Sequence, residues 1–334
     1  MKALVTGASG FIGSTLIEEL NARGFEVFAL MRKTSSASNL MGLKYERREG
    51  DLSDLRSLKA AVKGMDYVFH LAGTVFGPNR KYFFEHNAEG TRRLAEAVAE
   101  DCPDLKRFVF ISSLAAGGPS ASLVPRTEAD SDAPVSAYGW SKLSAEHTLL
   151  KFKERYPISI LRPPMVYGPR DKATFVFVKT VAGNVVPMLR GGSPDGHKYF
   201  TAIHVRDLVA GVIASALVPV SKVASGEMFY LTQNDVFSYE KMMDTIAENL
   251  GKNPWKLPVP QWVLTFAAYV LSAVTKMTRR VYSLNRDKLN EIRADYWICS
   301  SAKAHEKLGF TPEYDLARGL ADSVGWYKNQ GWIR

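Results

Sequence analysis

The chain opens Met1-Lys-Ala-Leu-Val-Thr6-Gly7-Ala-Ser9-Gly10-Phe11-Ile12-Gly13. Ala3, Leu4 and Val5 form a short apolar run suited to a central parallel strand buried on both faces. From Ser14 to Ala22, Leu16, Ile17 and Leu20 fall at helical spacing, and Gly24 supplies a C-terminal stop. A strand that runs through a glycine turn into a helix gathers free backbone N–H groups and the positive end of a helix dipole at one point. A pyrophosphate fits there. In this reading Gly7 makes the tight turn, Gly10 lets backbone approach the phosphates, and Gly13 lets helix pack on strand, with Ser9, Phe11 and Ile12 completing the cradle. A lone glycine triplet is weak evidence, because a ligand-free βα loop has the same signature.

The next strand, Glu26 to Leu30, should end over the adenosine ribose of a dinucleotide. NAD-selective sites place an acidic residue there to take the ribose hydroxyls. This chain instead reads Met31-Arg32-Lys33-Thr34-Ser35-Ser36. No carboxylate repels a 2′-phosphate, and a guanidinium can bind one bidentately. Arg32, Lys33 and Ser35 are therefore the expected contacts, and NADP(H) is favoured over NAD(H).

The 334 residues hold 43 basic and 34 acidic side chains, a net charge of +9. That length suits one large domain, or a domain with a smaller lobe. Cys102 and Cys299 form no metal or redox motif, so no metal is expected and a reducing cytoplasm is the simplest setting. Met1 nearly opens the first strand, leaving no room for a signal peptide. The basic residues are scattered and make no nucleic-acid module. An anionic cofactor or a membrane surface is the better partner for the surplus. Leu257 to Thr275 carries no charged side chain. Pro258 and Pro260 interrupt its start, leaving a run too short for integral membrane insertion. The expected state is a buried or substrate-covering helix. The alternative is peripheral membrane contact through about 262–280, with Lys276, Arg279 and Arg280 near headgroups.

Apolar strand-like runs alternate with amphipathic helical segments through the first half, as in a parallel sheet wound with helices. Tyr67 to Gly73 reads as the fourth strand and its exit, Arg107 to Ser113 as the fifth and Ile158 to Arg162 as the sixth. Ligands in such sheets sit at the carboxyl ends of the strands. Gly7 to Gly13, Leu71-Ala72-Gly73, Ser112-Ser113 and Pro163 to Gly168 should thus converge on one cleft. The expected fold is α/β: a Rossmann doubly wound parallel sheet with a smaller, discontinuous, helix-rich C-terminal substrate lobe. The dinucleotide domain would span 1–169 plus about 199–235, and the lobe 170–198 plus about 236–334.

Tyr138-Gly-Trp140-Ser141-Lys142 supplies the chemistry. If Ala137 to Phe152 is helical, Tyr138 and Lys142 share a face. An ammonium near a phenol stabilises the phenolate and lowers its pKa toward a working general acid/base. A serine from Ser112-Ser113 would hold the substrate oxygen in the same cleft.

These motifs, with Gly50-Asp51-Leu52, His70-Leu-Ala-Gly73, Asn87-Ala-Glu-Gly90-Thr91, Arg162-Pro-Pro-Met-Val-Tyr167-Gly-Pro169, His204-Val-Arg-Asp207 and Lys307-Leu-Gly-Phe310-Thr-Pro312, resemble the extended short-chain dehydrogenase/reductase family along essentially the whole chain. The resemblance implies Ser113, Tyr138 and Lys142 as the catalytic set. It implies Asp51 and Leu52 against adenine, Leu71, Ala72 and Gly73 lining the cofactor, and Pro164, Met165 and Val166 bordering the nicotinamide, which Tyr138 and Lys142 also contact. Asn87 reads as a structural hydrogen-bonding residue. Homodimerisation through helices around 85–100 and 138–155 is a family-level expectation.

Leu114-Ala115 stands where the family's dehydratases place an Asp-Glu pair, so elimination chemistry is disfavoured. Met165 stands where many epimerases have Asn. Phe83-Phe84, Phe175, Phe177 and Trp140 add apolar surface near the expected cleft. The leading expectation is an NADP(H)-dependent oxidoreductase interconverting a secondary alcohol and a ketone on a steroid-like, flavonoid-like or β-ketoacyl-derived small molecule, close in pattern to the 3β-hydroxysteroid-dehydrogenase-like and dihydroflavonol-reductase-like branches. A sugar-nucleotide epimerase with tightly bound NAD, its diphosphate held by Lys198 or Arg170, is the second reading. A non-catalytic NADP(H) sensor is the third.

Overall fold

The first six strands lie side by side in register: β1 (Lys2–Thr6), β2 (Glu26–Met31), β3 (Glu46–Glu49), β4 (Tyr67–His70), β5 (Arg107–Ile111) and β6 (Ile158–Arg162). A seventh, Glu227–Tyr230, closes the far edge, and every pairing is parallel. The computed structural model describes residues 1–278 and 286–333. Across the sheet the strands run Glu227–Tyr230, β6, β5, β4, β1, β2, β3. The order reverses between β1 and β4, the switch point at which such sheets open a ligand crevice. This is the doubly wound Rossmann-like α/β fold.

Strand alternation builds two apolar faces. Ala3, Val5, Val109, Ile111 and Leu161 face one layer, which includes Leu16 and Leu20 of α1 (Phe11–Ala22). Leu4, Val68, Phe108, Phe110 and Ile160 face the other, with Leu94, Val98 and Leu149. The strand β3 reads Glu-Arg-Arg-Glu and escaped detection, because an edge strand needs no apolar run. Arg48 lies 4.6 Å over the Phe28 ring and covers it in place of a hydrophobe.

Helix Ala137–Leu150 stops two residues short of the expected end. The helical run Arg80–Asp101 contains a π turn at Phe84–Glu89, an extra residue that the sequence pattern did not disclose. After β6 the chain leaves the sheet. Met165–Tyr167 pairs with Ala202–His204, Val185–Leu189 with Trp255–Val259, and Tyr199–Phe200 with both Phe237–Ser238 and Tyr296–Trp297. Segments distant in sequence are thereby knitted together.

Two expectations are corrected here. Phe175 and Phe177 do not face a cleft: Phe175 packs on Tyr327 and Trp332, and Phe177 on Tyr239, inside an apolar cluster. Helix Gln261–Thr278 is not a buried helix, since Ala268 is enclosed while Trp262 and Phe266 stand in solvent. Among the described residues, no helix is long and apolar enough to cross a membrane.

Asp207, nearly enclosed on helix Val205–Leu217, accepts the backbone N–H groups of Glu313 and Tyr314, both at 3.0 Å. It ties the C-terminal segment to the sheet layers. Asp207→Ala leaves two inward-facing amides without a partner, and the unfolding free energy should drop by about 2–4 kcal/mol, read from urea denaturation.

Candidate active site

The first βα turn is built by close backbone approach. Gly7 sits at φ +68°, and a Cβ there would lie 2.8 Å from the Ala72 amide nitrogen. A Cβ on Gly13 would lie 2.2 Å from the Gly7 carbonyl oxygen. Neither position accepts a side chain, so the glycines bring β1, β4 and α1 together at the switch point. Gly10 starts α1 with no side-chain cap, leaving the first-turn amides at Phe11, Ile12 and Gly13 open to an anion. Asn39, which sequence reading missed, donates to the Ser9 carbonyl at 3.0 Å and braces the loop from 30 residues away.

Beyond β2, Arg32 is exposed and its guanidinium has no partner among the described residues. The Ser35 hydroxyl accepts the Arg32 N–H at 3.1 Å, and Lys33 pairs with Glu49 at 3.5 Å. Arg47 donates to the carbonyls of Arg32 and Lys33, bringing a second guanidinium to this loop. Asp51 accepts from the Ser53 backbone and hydroxyl, which hold its carboxyl below the usual carboxylate range with help from Arg32. Leu52 packs against Gly90. A cradle that a Cβ would fill and uncapped amides fit the pyrophosphate of a dinucleotide.

At the carboxyl end of β5 the two serines diverge. Ser112 is buried and donates to the Glu146 carboxylate. The Ser113 hydroxyl accepts the Ala115 N–H at 3.1 Å and lies close enough to the Tyr138 phenol to pull its pKa down. Ser136 caps the helix carrying Tyr138, accepting the Gly139 N–H at 3.0 Å. From helix Arg286–Arg293, Asp287 accepts the Ala137 N–H at 2.7 Å. Phe83 meets the Tyr138 ring edge-on at 6.2 Å, whereas Phe84 lies under Arg80.

Lys142 departs from expectation. Its Nζ donates to the Ile111 carbonyl at 2.6 Å and rests 4.2 Å from the Phe110 ring centroid. Burial pushes the ammonium down to about 7, with Glu146 opposing. Burial pushes the Tyr138 phenol up to about 12; Ser113 pulls it down and the Glu291 charge raises it further. The phenol is therefore not acidified by Lys142 in this arrangement, because the amine is turned toward β5. A Cβ on Gly73 would press on the Asn87 side-chain oxygen at 3.2 Å.

Two buried networks hold these groups. Arg162 binds Glu146 through Nε at 2.9 Å and Nη2 at 2.5 Å, and Asp132 at 2.6 and 3.1 Å. The second starts at Thr6. Its hydroxyl accepts the Ala72 N–H and meets His70 Nδ1 at 2.7 Å; because Thr91 spends its hydrogen on the Asn87 carbonyl, Nε2 carries the imidazole proton and Thr6 donates to Nδ1. His70 Nε2–H then donates to Thr91 at 2.9 Å, and Thr91 donates to the Asn87 carbonyl. Burial pushes His70 down to about 3, which keeps it neutral in this role. Asn87 donates to the Ser141 hydroxyl at 2.9 Å, and Ser141 donates to the Tyr138 carbonyl at 2.7 Å.

The segment Pro164, Met165, Val166 follows β6 and is half-buried, with the Leu114 N–H donating to the Pro163 carbonyl at 2.8 Å. The cations proposed for a diphosphate are already engaged. Lys198 is buried on Asp295 at 2.8 Å and on two carbonyls. Arg170 reaches back to Ser14 and Glu18 of α1.

Residues 3–229 match the model of the NAD dependent epimerase/dehydratase family. The chain belongs to that family. Its members by sequence include a ceramide reductase of Caulobacter vibrioides, 27% identical over 98% of this chain and 95% of the relative. A sterol demethylase protein B of Methylococcus capsulatus is also 27% identical, over the full length of both. A UDP-glucose 4-epimerase of Vibrio cholerae is 28% identical over 78% of this chain and 79% of its own. Among solved structures, gox2253 superposes with a TM-score of 0.80 at 25% identity over 99% of both chains. MoeE5 in complex with UDP-glucuronic acid and NAD superposes at 0.77 with 24% identity over 99% of this chain and 100% of its own, a likeness of fold. The protein is thus an NAD(P)-dependent enzyme of the extended short-chain dehydrogenase/reductase type.

The buried Lys142 makes stability pH-dependent with a defined sign. Its folded value, about 7, lies below the ordinary 10.5. The penalty for an enclosed ammonium is fully present below pH 7 and fades as pH rises toward 10.5. Relative to Lys142→Met, the wild-type protein should gain stability by up to about 1.4 kcal/mol per pH unit across that window, measured by urea denaturation of both proteins at each pH. A constant difference between them would contradict the assignment.

Proposed function

We propose that the protein is an NADP(H)-dependent oxidoreductase that interconverts a secondary alcohol and a ketone on a largely apolar small molecule. The Ser113–Tyr138 hydroxyl pair at the end of β5, with Lys142 one helical turn behind, carries the reading. NAD(P), when bound, supplies or takes up the hydride. In reduction Tyr138 gives its proton to the carbonyl oxygen, and in oxidation it takes the proton back. The Ser113 hydroxyl holds that oxygen by a hydrogen bond. The Lys142 ammonium, released from the Ile111 carbonyl toward the phenol, would bring Tyr138 down from about 12 into the working range.

The electrostatics of the cleft favour a substrate without a diphosphate. Lys198 and Arg170 are spent on Asp295 and Glu18, and Asp287 and Glu291 bring carboxylates to the Tyr138 end of its helix. An anion brought there meets repulsion, whereas an uncharged hydroxy or keto compound does not. Relatives named for ceramide and sterol chemistry support the same class of substrate. The substrate lobe in this reading is formed by residues 170–198 and 236–334.

NADP(H) is preferred because Arg32 is free and no carboxylate follows β2 before Arg47 except Glu46 on β3. Arg32→Ala should raise the KM for NADPH by roughly tenfold or more and leave that for NADH nearly unchanged. Equal KM values for NADPH before and after substitution would remove the assignment. Tyr138→Phe should lower kcat by about 10²–10⁴-fold with ketone substrates while cofactor affinity, read by nicotinamide fluorescence, stays within about twofold. Retained turnover in that variant would discard the proton-transfer role. Turnover of a nucleotide sugar without cofactor release would favour the epimerase alternative.

A further inference from the structure

Helix Gln261–Thr278 has 18 residues and is about 27 Å long. Trp262 and Phe266 are four apart and so share a face, and they are 71% and 67% exposed. Tyr269 and Val270 extend the exposed apolar surface by one more turn. On the opposite side Ala268 is fully enclosed, and Leu264 lines a small cavity together with Leu289 and Ile292 of helix Arg286–Arg293. The helix is therefore amphipathic in place: one side is anchored to the protein and the other offers aromatic rings to the surroundings. Scattered single hydrophobes are ordinary on a surface, but a contiguous aromatic stripe marks an interaction site.

We infer that this face docks on an anionic lipid bilayer surface, with the helix lying in the plane of the headgroups. The choice of occupant rests on composition and charge. Tryptophan and tyrosine suit the boundary between headgroup and acyl chain, where one part of the ring system is apolar and the other wet. Residues Leu257 to Thr275 contain no acidic side chain to be repelled by anionic headgroups. Arg293 lines the same groove as Trp262, Phe266 and Tyr269 and makes no ion pair among the described residues. A second copy docked face to face about a twofold axis would set Arg293 near its own symmetry mate. A bilayer bearing negative headgroups neutralises it instead. The helix is not apolar enough to cross, so it lies along the surface.

The placement couples to the catalytic end of the molecule. Helix Arg286–Arg293, on which the docking helix rests, supplies the Asp287 carboxylate that holds the first turn of the Tyr138 helix. A bilayer at this face would deliver an apolar hydroxy or keto substrate beside the cleft; that consequence, though not the docking itself, rests on the proposed reductase reading.

Co-sedimentation of the full chain with vesicles tests the docking without reference to activity. The protein should pellet with vesicles of phosphatidylcholine mixed with phosphatidylglycerol and much less with phosphatidylcholine alone. Added salt and Arg293→Gln should weaken the binding. The double variant Trp262→Ser/Phe266→Ser should lower the partition coefficient at least about tenfold while its circular dichroism and urea midpoint stay those of the wild type. Vesicle binding by a protein inert toward every ketone supports the docking and overturns only the reductase reading. Absence of binding to both vesicles, or equal binding by the double variant, overturns the docking. So does a wild-type dimer in sedimentation velocity that the double variant converts to monomer, since a second copy would then cover the face.

Discussion

The Arg162 guanidinium is almost completely enclosed at the end of β6, and an unpaired charge there would be very costly. It is tolerated because Glu146 grips it in two places and Asp132 closes the remaining side. These three charges leave one negative charge in excess. That excess sits one helical turn below Lys142, whose own donor bond goes to a neutral carbonyl. The buried cluster is thus the counter-charge for the lysine at one remove, and it opposes the burial that drives the amine toward neutrality. Ser112 also donates to Glu146, which fixes the backbone immediately before Ser113. One ion cluster consequently positions two members of the candidate catalytic set.

The cofactor end and the chemical end are joined by the second network. Thr6, His70, Thr91, Asn87 and Ser141 form a directional series of donors and acceptors from the exit of β1 to the carbonyl of Tyr138. Each member is buried, so each broken link leaves a polar atom without water as a substitute. The π turn at Phe84–Glu89 carries Asn87, whose amide both accepts from and donates to Thr74 while reaching Ser141. A backbone irregularity has a geometric purpose here, since it sets a side chain between the β4 exit and the helix that carries Tyr138.

Much of this was legible before any coordinates. The glycine turn, the apolar strands β1, β2, β4, β5 and β6, and the four-residue spacing of Tyr138 and Lys142 are local patterns with strong steric or periodic causes. What escaped was non-local. Asn39 supports Ser9 and Arg47 supports Arg32 through single long-range bonds, which leave no periodic trace. Strand β3 was hidden because its edge position lets Arg48 do the covering that a hydrophobe does elsewhere. The direction of Lys142 was misjudged for a related reason. Helical spacing places two side chains on one face, but it does not say whether a long amine turns to its neighbour or to a carbonyl below.

The same distinction governs the basic residues. Net charge suggested cations ready for an anionic ligand, yet most of those near the cleft are consumed internally. Lys198 ends on Asp295, Arg170 on Glu18, and Arg162 on Glu146 and Asp132. The enclosed Arg162 and Lys198 have little residual field for a substrate, and recruiting either would strand its carboxylate partner. Arg32 and Arg293 are different, because both present guanidinium groups to solvent at opposite functional ends of the molecule. One stands where a ribose phosphate would lie and the other beside the aromatic helix. Where an anion can be met from solvent therefore depends on which arginines the fold leaves unpaired, and among the described residues Arg32 and Arg293 are two of these.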